Sequence, residues 1–168
     1  MTYNLMGRFD PVLWEDHHMP ESLRTIFMRT FFHLHPAYHG TGGRLTYIAS
    51  DWSEIKVKIP LNWRTRNYVG TIFGGSMYAS VDPMYMIMLI QRLGADYIVW
   101  DKSAVIQFKK PGKTTLFAHF ILPDEEIKTI KDQLEKDRSL ERVYNIELKD
   151  RQGDIYASVE KTIYIRKK

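Results

Sequence analysis

The 168-residue sequence contains no cysteine, which excludes disulfide bonds, thiolate metal ligands and a cysteine nucleophile. This absence is compatible with a reducing compartment, and we expect a cytoplasmic protein. The sequence also has no long run of one charge: 24 Lys and Arg residues against 20 Asp and Glu residues leave a formal net charge of +4, and the basic residues are dispersed. A nucleic-acid-binding arm is therefore not predicted.

Long hydrophobic runs are absent from most of the chain, and residues 72–90 are the one candidate for a membrane span. Asp82, near the centre of this segment, is its only acid. An aspartate at the centre of a bilayer helix costs roughly 2.5–3.5 kcal/mol. We therefore predict a helix that is buried in a soluble core, because a helix that is apolar on every side must be surrounded.

Acidic and histidine residues interrupt residues 1–19, so we expect no signal peptide, and this segment is predicted to be an irregular arm.

A first amphipathic helix is predicted from Pro20, which would occupy its first position, to the stop signals Pro36 and Gly40. Apolar residues recur in it at helical spacing and predict a single buried face. This face consists of Leu23, Ile26, Phe27, Thr30, Phe31 and Leu34. The nearby His33, His35 and His39 have no carboxylate beside them in sequence, so surface or capping roles are favoured over a metal site.

Six segments alternate or are apolar in the manner of strands. They are residues 44–50, 54–59, 97–108, 114–122, 140–148 and 155–166. In the second of them, Ile55, Val57 and Ile59 are predicted to face the core, and Glu54, Lys56 and Lys58 to face solvent. In the last, the predicted inward residues are Ile155, Ala157, Val159, Ile163 and Ile165. A second amphipathic helix is predicted to begin at Pro123, between the fourth and fifth strands.

This order of elements predicts one α+β domain in which a strongly curved antiparallel sheet wraps around the buried helix. Such a sheet has two exposed edges, and edge-to-edge pairing in a dimer is a common way to cover them.

Two stretches resemble a known family: residues 67–76, Asn-Tyr-Val-Gly-Thr-Ile-Phe-Gly-Gly-Ser, followed by Asp82, and residues 99–112 with the basic turn Lys109-Lys110-Pro111-Gly112. They resemble the hotdog-fold acyl-CoA thioesterases of the phenylacetate-pathway type, and most closely the DUF4442 branch of that superfamily. The likeness spans roughly residues 40–166. It implies a single hotdog domain over residues 1–168, with an arm and helix in residues 1–40 and the core in residues 41–168.

The resemblance implies a thioesterase that acts on acyl-CoA or a similar acyl thioester, with no metal and no dissociable cofactor. Asp82 corresponds to the catalytic acid, as general base or as nucleophile. Gly74 and Gly75 correspond to the backbone N–H groups that polarise the carbonyl, and Asn67 to the asparagine of the loop. The substrate contacts implied or suggested by this comparison are Phe73, Ser76, Tyr78, Lys109, Lys110 and Lys113. In the family the site lies at a subunit interface, which implies a homodimer or a dimer of dimers.

One position departs from the family pattern: Phe73 stands where a histidine usually precedes the glycine pair. This departure favours an alternative in which the domain binds acyl-CoA or fatty acyl groups without catalysis. A dehydratase is less favoured, because that chemistry needs a histidine beside the acid and none lies near Asp82 in sequence. Asp82 itself has a structural alternative, since Asp followed by Pro83 is a strong helix N-cap pair that would break the central helix.

Overall fold

The computed structural model describes residues 19–168 of the chain. Its elements follow the predicted order, with one short helix added after the first. The helices are α1 (Leu23–Leu34), α2 (Pro36–Thr41), α3 (Gly74–Ala79), α4 (Met84–Leu93) and α5 (Asp124–Leu134). The strands are β1 (Arg44–Ile48), β2 (Glu54–Ile59), β3 (Tyr97–Phe108), β4 (Leu116–Ile121), β5 (Leu140–Lys149) and β6 (Ile155–Lys167). The predicted arm in residues 1–19 lies almost entirely outside the described residues.

The strands form one antiparallel six-stranded sheet in the order β1-β2-β4-β5-β6-β3. The last strand of the chain is therefore an inner strand, with β5 on one side and β3 on the other. β1 and β3 are the two edges. The predicted hairpin between the first two strands is confirmed, and so is the turn before β6, where Gly153 has a φ of 88°. Glycine suits that turn because a side chain disfavours positive φ.

The central apolar segment packs on one face of this sheet as two helices, α3 and α4, separated by a turn at Ser80–Pro83. The break agrees with the prediction from Pro83, which disfavours a helical backbone at the residue before it. Met84, Met88 and Leu89 of α4 are fully buried. Tyr85 stacks on Tyr144 of β5 with ring centroids 4.3 Å apart, so aromatic contacts join the helix to the sheet.

The predicted buried face of α1 is wrong, because most of this apolar stripe faces outward. Leu23 is 87% exposed and Phe27 is 68% exposed, whereas Thr25 on another side of the helix is fully buried. Met28 and Phe32 make the contacts of α1 with the core. The helix also begins at Leu23, and not at Pro20, because Ser22 caps it: the Ser22 hydroxyl accepts a hydrogen bond from the Thr25 N–H. Helical spacing identifies residues that share a face, but it does not say which face packs inward.

The prediction that β2 has one solvent face is also wrong. Glu54 and Lys56 are buried, and Lys58 is half-buried. Lys56 Nζ lies 3.3 Å from Glu54 Oε1, and His119 Nε2 of β4 lies 2.6 Å from the same oxygen. Charged side chains can be buried when opposite charges meet, so alternating polarity in this strand does not indicate exposure. Among the described residues, no helix is long and apolar enough to cross a membrane.

Candidate active site

Asp82 lies at the break between α3 and α4, with its side chain 37% exposed. Its carboxylate accepts a hydrogen bond from the Tyr78 hydroxyl, 2.6 Å from Oδ1, and the same oxygen forms an ion pair with Lys161 of β6. Asp82 is therefore not the N-cap of α4. Pro83 occupies that position, and no side chain caps the helix there. The carboxylate is directed to the sheet instead, where it meets the buried ammonium group of Lys161.

Lys161 is the centre of this cluster, and the sequence reading did not identify it. Its side chain is only 2% exposed. Besides Asp82, Nζ contacts Asp101 Oδ2 of β3 at 3.1 Å and the Tyr78 hydroxyl oxygen at the longer distance of 3.4 Å. An ammonium group has three N–H donors, and here three acceptors surround it. The group that we call the Lys161 cluster consists of Tyr78, Asp82, Asp101 and Lys161.

A β-bulge in β3 brings Asp101 into the cluster. Ala104 pairs with Lys161 and Ser103 with Thr162, but Asp101 pairs with Ile163, so Lys102 is an extra residue. In a regularly alternating strand, Asp101 and Ala104 would point to opposite faces, since they are three residues apart. The bulge shifts Asp101 to the inner face, on which Lys161 lies. Bulges next to functional sites commonly redirect side chains in this way.

The buried setting changes the pKa values of the cluster. Burial alone would lower the pKa of Lys161, but its hydrogen bonds with Asp82 and Asp101 outweigh burial and hold this pKa above the usual 10.5. Burial raises the pKa of Asp101, and Lys161 only partly offsets this effect. Burial and the hydrogen bond to Asp82 also raise the pKa of Tyr78. Lys161 is therefore cationic and the Tyr78 hydroxyl is protonated at neutral pH, so both donate hydrogen bonds.

A cavity of about 440 Å³ lies beside the start of α3. It is lined by Asn67, Thr71, Ile72, Gly74, Met77, Phe108, Lys109, Lys110, Pro111 and Gly112. The Ile72 N–H donates to the Gly112 carbonyl at 2.8 Å, which holds the basic turn against the start of α3. Four of the predicted site residues thus line one cavity: Asn67, Gly74, Lys109 and Lys110. Asp82 and Lys113 are not among its lining residues, so within one chain the predicted site is divided between this cavity and the Lys161 cluster.

The glycine pair begins α3 in tightly packed surroundings. A Cβ on Gly74 would lie 2.8 Å from the Phe108 ring, and one on Gly75 would lie 2.3 Å from the Phe73 ring, so a side chain at either position would displace one of these exposed rings. Phe73 precedes the helix and supplies no side-chain cap. The first N–H groups of a helix have no partner within the helix, and among residues 19–168 no backbone carbonyl outside the helix accepts from Gly74 or Gly75. Ser76 is buried in the same turn.

Asn67 serves the loop itself. Its Oδ1 accepts hydrogen bonds from the backbone N–H groups of Val69 and Thr71 at 3.1 and 3.0 Å, and its Nδ2 donates to the Thr71 hydroxyl at 2.9 Å. These bonds give the loop its shape at the cavity wall.

Lys110 pairs with Asp154 at 3.1 Å, so this lysine already has a partner at the surface. Across residues 19–168, no group of three or more His, Cys, Asp or Glu side chains could hold a metal ion.

Comparison with known proteins identifies relatives of the whole fold. The family model for DUF4442, described as a domain of unknown function, matches residues 24–165. No curated protein matches the sequence.

Several solved structures superpose on most of the chain. PA5026 from Pseudomonas aeruginosa, a protein of unknown function described as a "probable thioesterase", gives a TM-score of 0.78 at 18% identity, covering 90% of this chain and 100% of its own. Thioesterase HI1161 from Haemophilus influenzae gives 0.63 at 12% identity, covering 89% and 94%. A mutant of thioesterase PA1618 from P. aeruginosa gives 0.62 at 11%, covering 84% and 94%. At such identities the likeness shows the fold, and it confirms the predicted hotdog architecture.

Proposed function

This chain belongs to the DUF4442 family, and we propose that it is a thioesterase that hydrolyses acyl-CoA or a similar acyl thioester. The observation that carries the proposal is the Asp82 carboxylate, which is half-exposed at a helix break and held by Tyr78 and Lys161. Both of these contacts are made to Oδ1, and no described residue donates a hydrogen bond to Oδ2. The second oxygen is therefore available to a water molecule or a substrate. The structural relatives that are described as thioesterases support the same reaction class.

In the proposed reaction, Asp82 takes a proton from water as the oxygen attacks the thioester carbonyl carbon. The tetrahedral intermediate collapses when the carbon–sulfur bond breaks, and the proton passes to the leaving thiolate. The products are a carboxylic acid and the free thiol, so no other reactant is needed. Direct attack by the carboxylate is the second route, in which water hydrolyses the resulting anhydride.

The cavity supplies the other parts of the proposed site. The N–H groups of Gly74 and Gly75 are proposed to polarise the carbonyl, because a helix N-terminus favours developing negative charge. Lys109 and Lys110 are at the cavity wall, and Lys113 is exposed on the same turn. We propose that these three lysines bind the phosphate groups of coenzyme A. The apolar wall formed by Ile72, Met77 and Phe108 suits the substrate's uncharged part.

We propose that the working unit is a homodimer. A second copy could bring to the cavity the residues that the same chain does not place there, Asp82 among them. β3 is a 12-residue strand at the sheet edge, and Trp100, Val105 and Phe108 on it are exposed. Among residues 19–168 the outer side of β3 has no neighbouring strand, and an edge with exposed apolar side chains favours pairing with another strand. Because Phe108 also lines the cavity, a second copy on β3 would lie beside it. Residues of one chain can then complete the site of the other.

A second candidate function is binding of acyl-CoA or fatty acyl groups without hydrolysis. Phe73 favours it, since this exposed aromatic side chain replaces the histidine that the family pattern places there. The separation of Asp82 from the cavity lining favours it as well.

Release of coenzyme A, followed with a thiol reagent across a series of acyl-CoA chain lengths, tests the two functions. The chain itself contributes no signal because it has no cysteine. We expect turnover by the wild type and a loss of about 10²–10⁴-fold in kcat in Asp82→Asn, the effect of removing a general base. Sedimentation of the same sample should give the mass of a dimer.

Asp132→Asn is the matched control, because it makes the same substitution at an exposed position of α5. Its turnover should equal that of the wild type. Turnover that survives Asp82→Asn would overturn the role of Asp82. Binding of acyl-CoA by calorimetry, without release of thiol by the wild type, would establish the binding module instead.

A further inference from the structure

Lys161 is buried more deeply than either of the carboxylates that it contacts, and this asymmetry bears on its role. Its side chain is 2% exposed, against 26% for Asp101 and 37% for Asp82. A buried ammonium group needs a negative partner, and one carboxylate is enough to supply it. The structure contains two, on separate elements, so neutralising Lys161 does not by itself require Asp82.

The two carboxylates are held differently. Asp101 lies on β3 and is directed at Lys161 by the bulge at Lys102; its Oδ1 is buried and has no hydrogen-bond partner among the described residues. This carboxylate therefore has Lys161 as its contact. Asp82 instead lies on a turn between two helices, where the backbone alone leaves its side chain free to rotate. Lys161 and Tyr78 both bond Oδ1, which fixes the direction of Oδ2.

We propose that Lys161 is a positioning residue for the reaction: anchored by Asp101, it holds Oδ1 of Asp82 so that Oδ2 is directed at the attacking water. This inference rests on the proposed function, since it assigns a role to the group that orients the proposed catalytic carboxylate. Lys161 does not touch the substrate. It acts through Asp82, and its effect is expected in kcat rather than in KM, because a misdirected base affects the transition state more than substrate binding.

The test compares four variants in the coenzyme A release assay. Lys161→Met alone leaves two carboxylates without their cation and is expected to destabilise the fold. Lys161→Met/Asp101→Asn is therefore the deciding variant. It removes one positive and one negative charge together and leaves the net charge of the cluster unchanged. Asp101→Asn alone keeps the contact between Lys161 and Asp82. Lys56→Met is the matched control, because Lys56 is equally buried but lies on β2 beside Glu54.

We expect the double variant to fold, with kcat lowered by about 10–100-fold and KM within about twofold of the wild type. Lys56→Met should retain a kcat close to the wild-type value, and Asp101→Asn, which removes the anchor of Lys161 but keeps its contact with Asp82, should lower kcat less than the double variant does. A crystal structure of the double variant should show the Asp82 side chain in a new rotamer. If the Met-containing double variant does not fold, Lys161→Gln/Asp101→Asn replaces it, because glutamine keeps N–H donors without the charge.

A folded double variant with wild-type kcat would overturn the inference while leaving the proposed function intact, and Lys161 would then be only a buried counter-ion. A loss of kcat equal to that in Lys56→Met would overturn it too, because the effect would follow from destabilisation alone. A wild type that releases no coenzyme A from any acyl-CoA would overturn the proposed function, and this inference with it.

Discussion

The sheet contains two buried lysines in ionic clusters, and the clusters differ in how far they extend. Lys56, Glu54 and His119 all lie on the adjacent strands β2 and β4. Lys161, on β6, contacts Asp101 on β3 and Asp82, which is 79 residues away in sequence on the turn between two helices. β4 and β5 separate β2 from β6 in the sheet, so the two clusters are independent.

The difference also concerns charge and access. In the first cluster the acid, Glu54, is 9% exposed and contacts two basic side chains. In the Lys161 cluster one cation contacts two acids, and one of them is 37% exposed. In the first cluster the carboxylate itself is buried between two strands, where it can stabilise strand pairing. In the Lys161 cluster the more exposed carboxylate, Asp82, is held to the sheet from a turn between two helices. The same type of interaction thus has two different consequences.

Lys161→Met should give the largest loss of stability. It removes the single cation from two carboxylates, and breaking a buried ion pair by removing one partner costs about 3–5 kcal/mol. Urea denaturation followed by circular dichroism gives the free energy of unfolding. A loss below 1 kcal/mol, on the order of that for an exposed pair, would show that the two carboxylates do not depend on Lys161.

Lys56→Met should cost less, about 1–3 kcal/mol. Glu54 keeps its contact with His119 after the lysine is removed, so the carboxylate is not left alone. The same urea titration checks the value beside that of Lys161→Met. Equal losses in the two variants would contradict the distinction drawn between the clusters.

Asp101→Asn should have the smallest effect, within about 1 kcal/mol of the wild type at neutral pH. Burial raises the pKa of Asp101 above its ordinary value of 3.8, so the folded chain binds this proton more tightly than the unfolded chain. The contribution to stability is full below 3.8 and is lost as the pH rises through the folded-state pKa. The variant lacks this dependence, so its stability relative to the wild type should rise as the pH increases above 3.8.

Parallel unfolding curves at several pH values measure that difference, and Asp132→Asn provides the comparison at an exposed aspartate. A relative stability that falls with increasing pH would mean that the ionised form of Asp101 is the one favoured by the fold.

The order of the elements could be predicted from sequence because each strand and helix has a local pattern. Alternation identified Ala157, Val159 and Ile163 as inward residues of β6, and all three are buried. Packing could not be predicted in the same way. The stripe of Leu23 and Phe27 shares one helix face, but the helix packs through Met28 and Phe32. Which face is buried depends on partners that are distant in sequence.

The candidate site was predictable only in part, for a related reason. Asp82 stood out as the one acid in an apolar segment. Lys161 occupies an inward position of β6, in phase with Val159 and Ile163, and that phase was the signal that could have identified it. Asp101 could not be found from alternation, because the bulge at Lys102 reverses its face. Three consecutive polar residues inside an apolar strand, at positions 101–103, were the trace of this irregularity.

The inner position of β6 has a consequence for the way the chain assembles during synthesis. Within the described residues, β3 hydrogen-bonds to β6 alone, and β5 has its long pairing with the same strand. A nascent chain that ends before residue 155 therefore carries a 12-residue strand with no neighbour, and such strands promote aggregation. Lys161 lies on β6, so Asp82 acquires its ionic partner only after β6 has paired with β3 and β5.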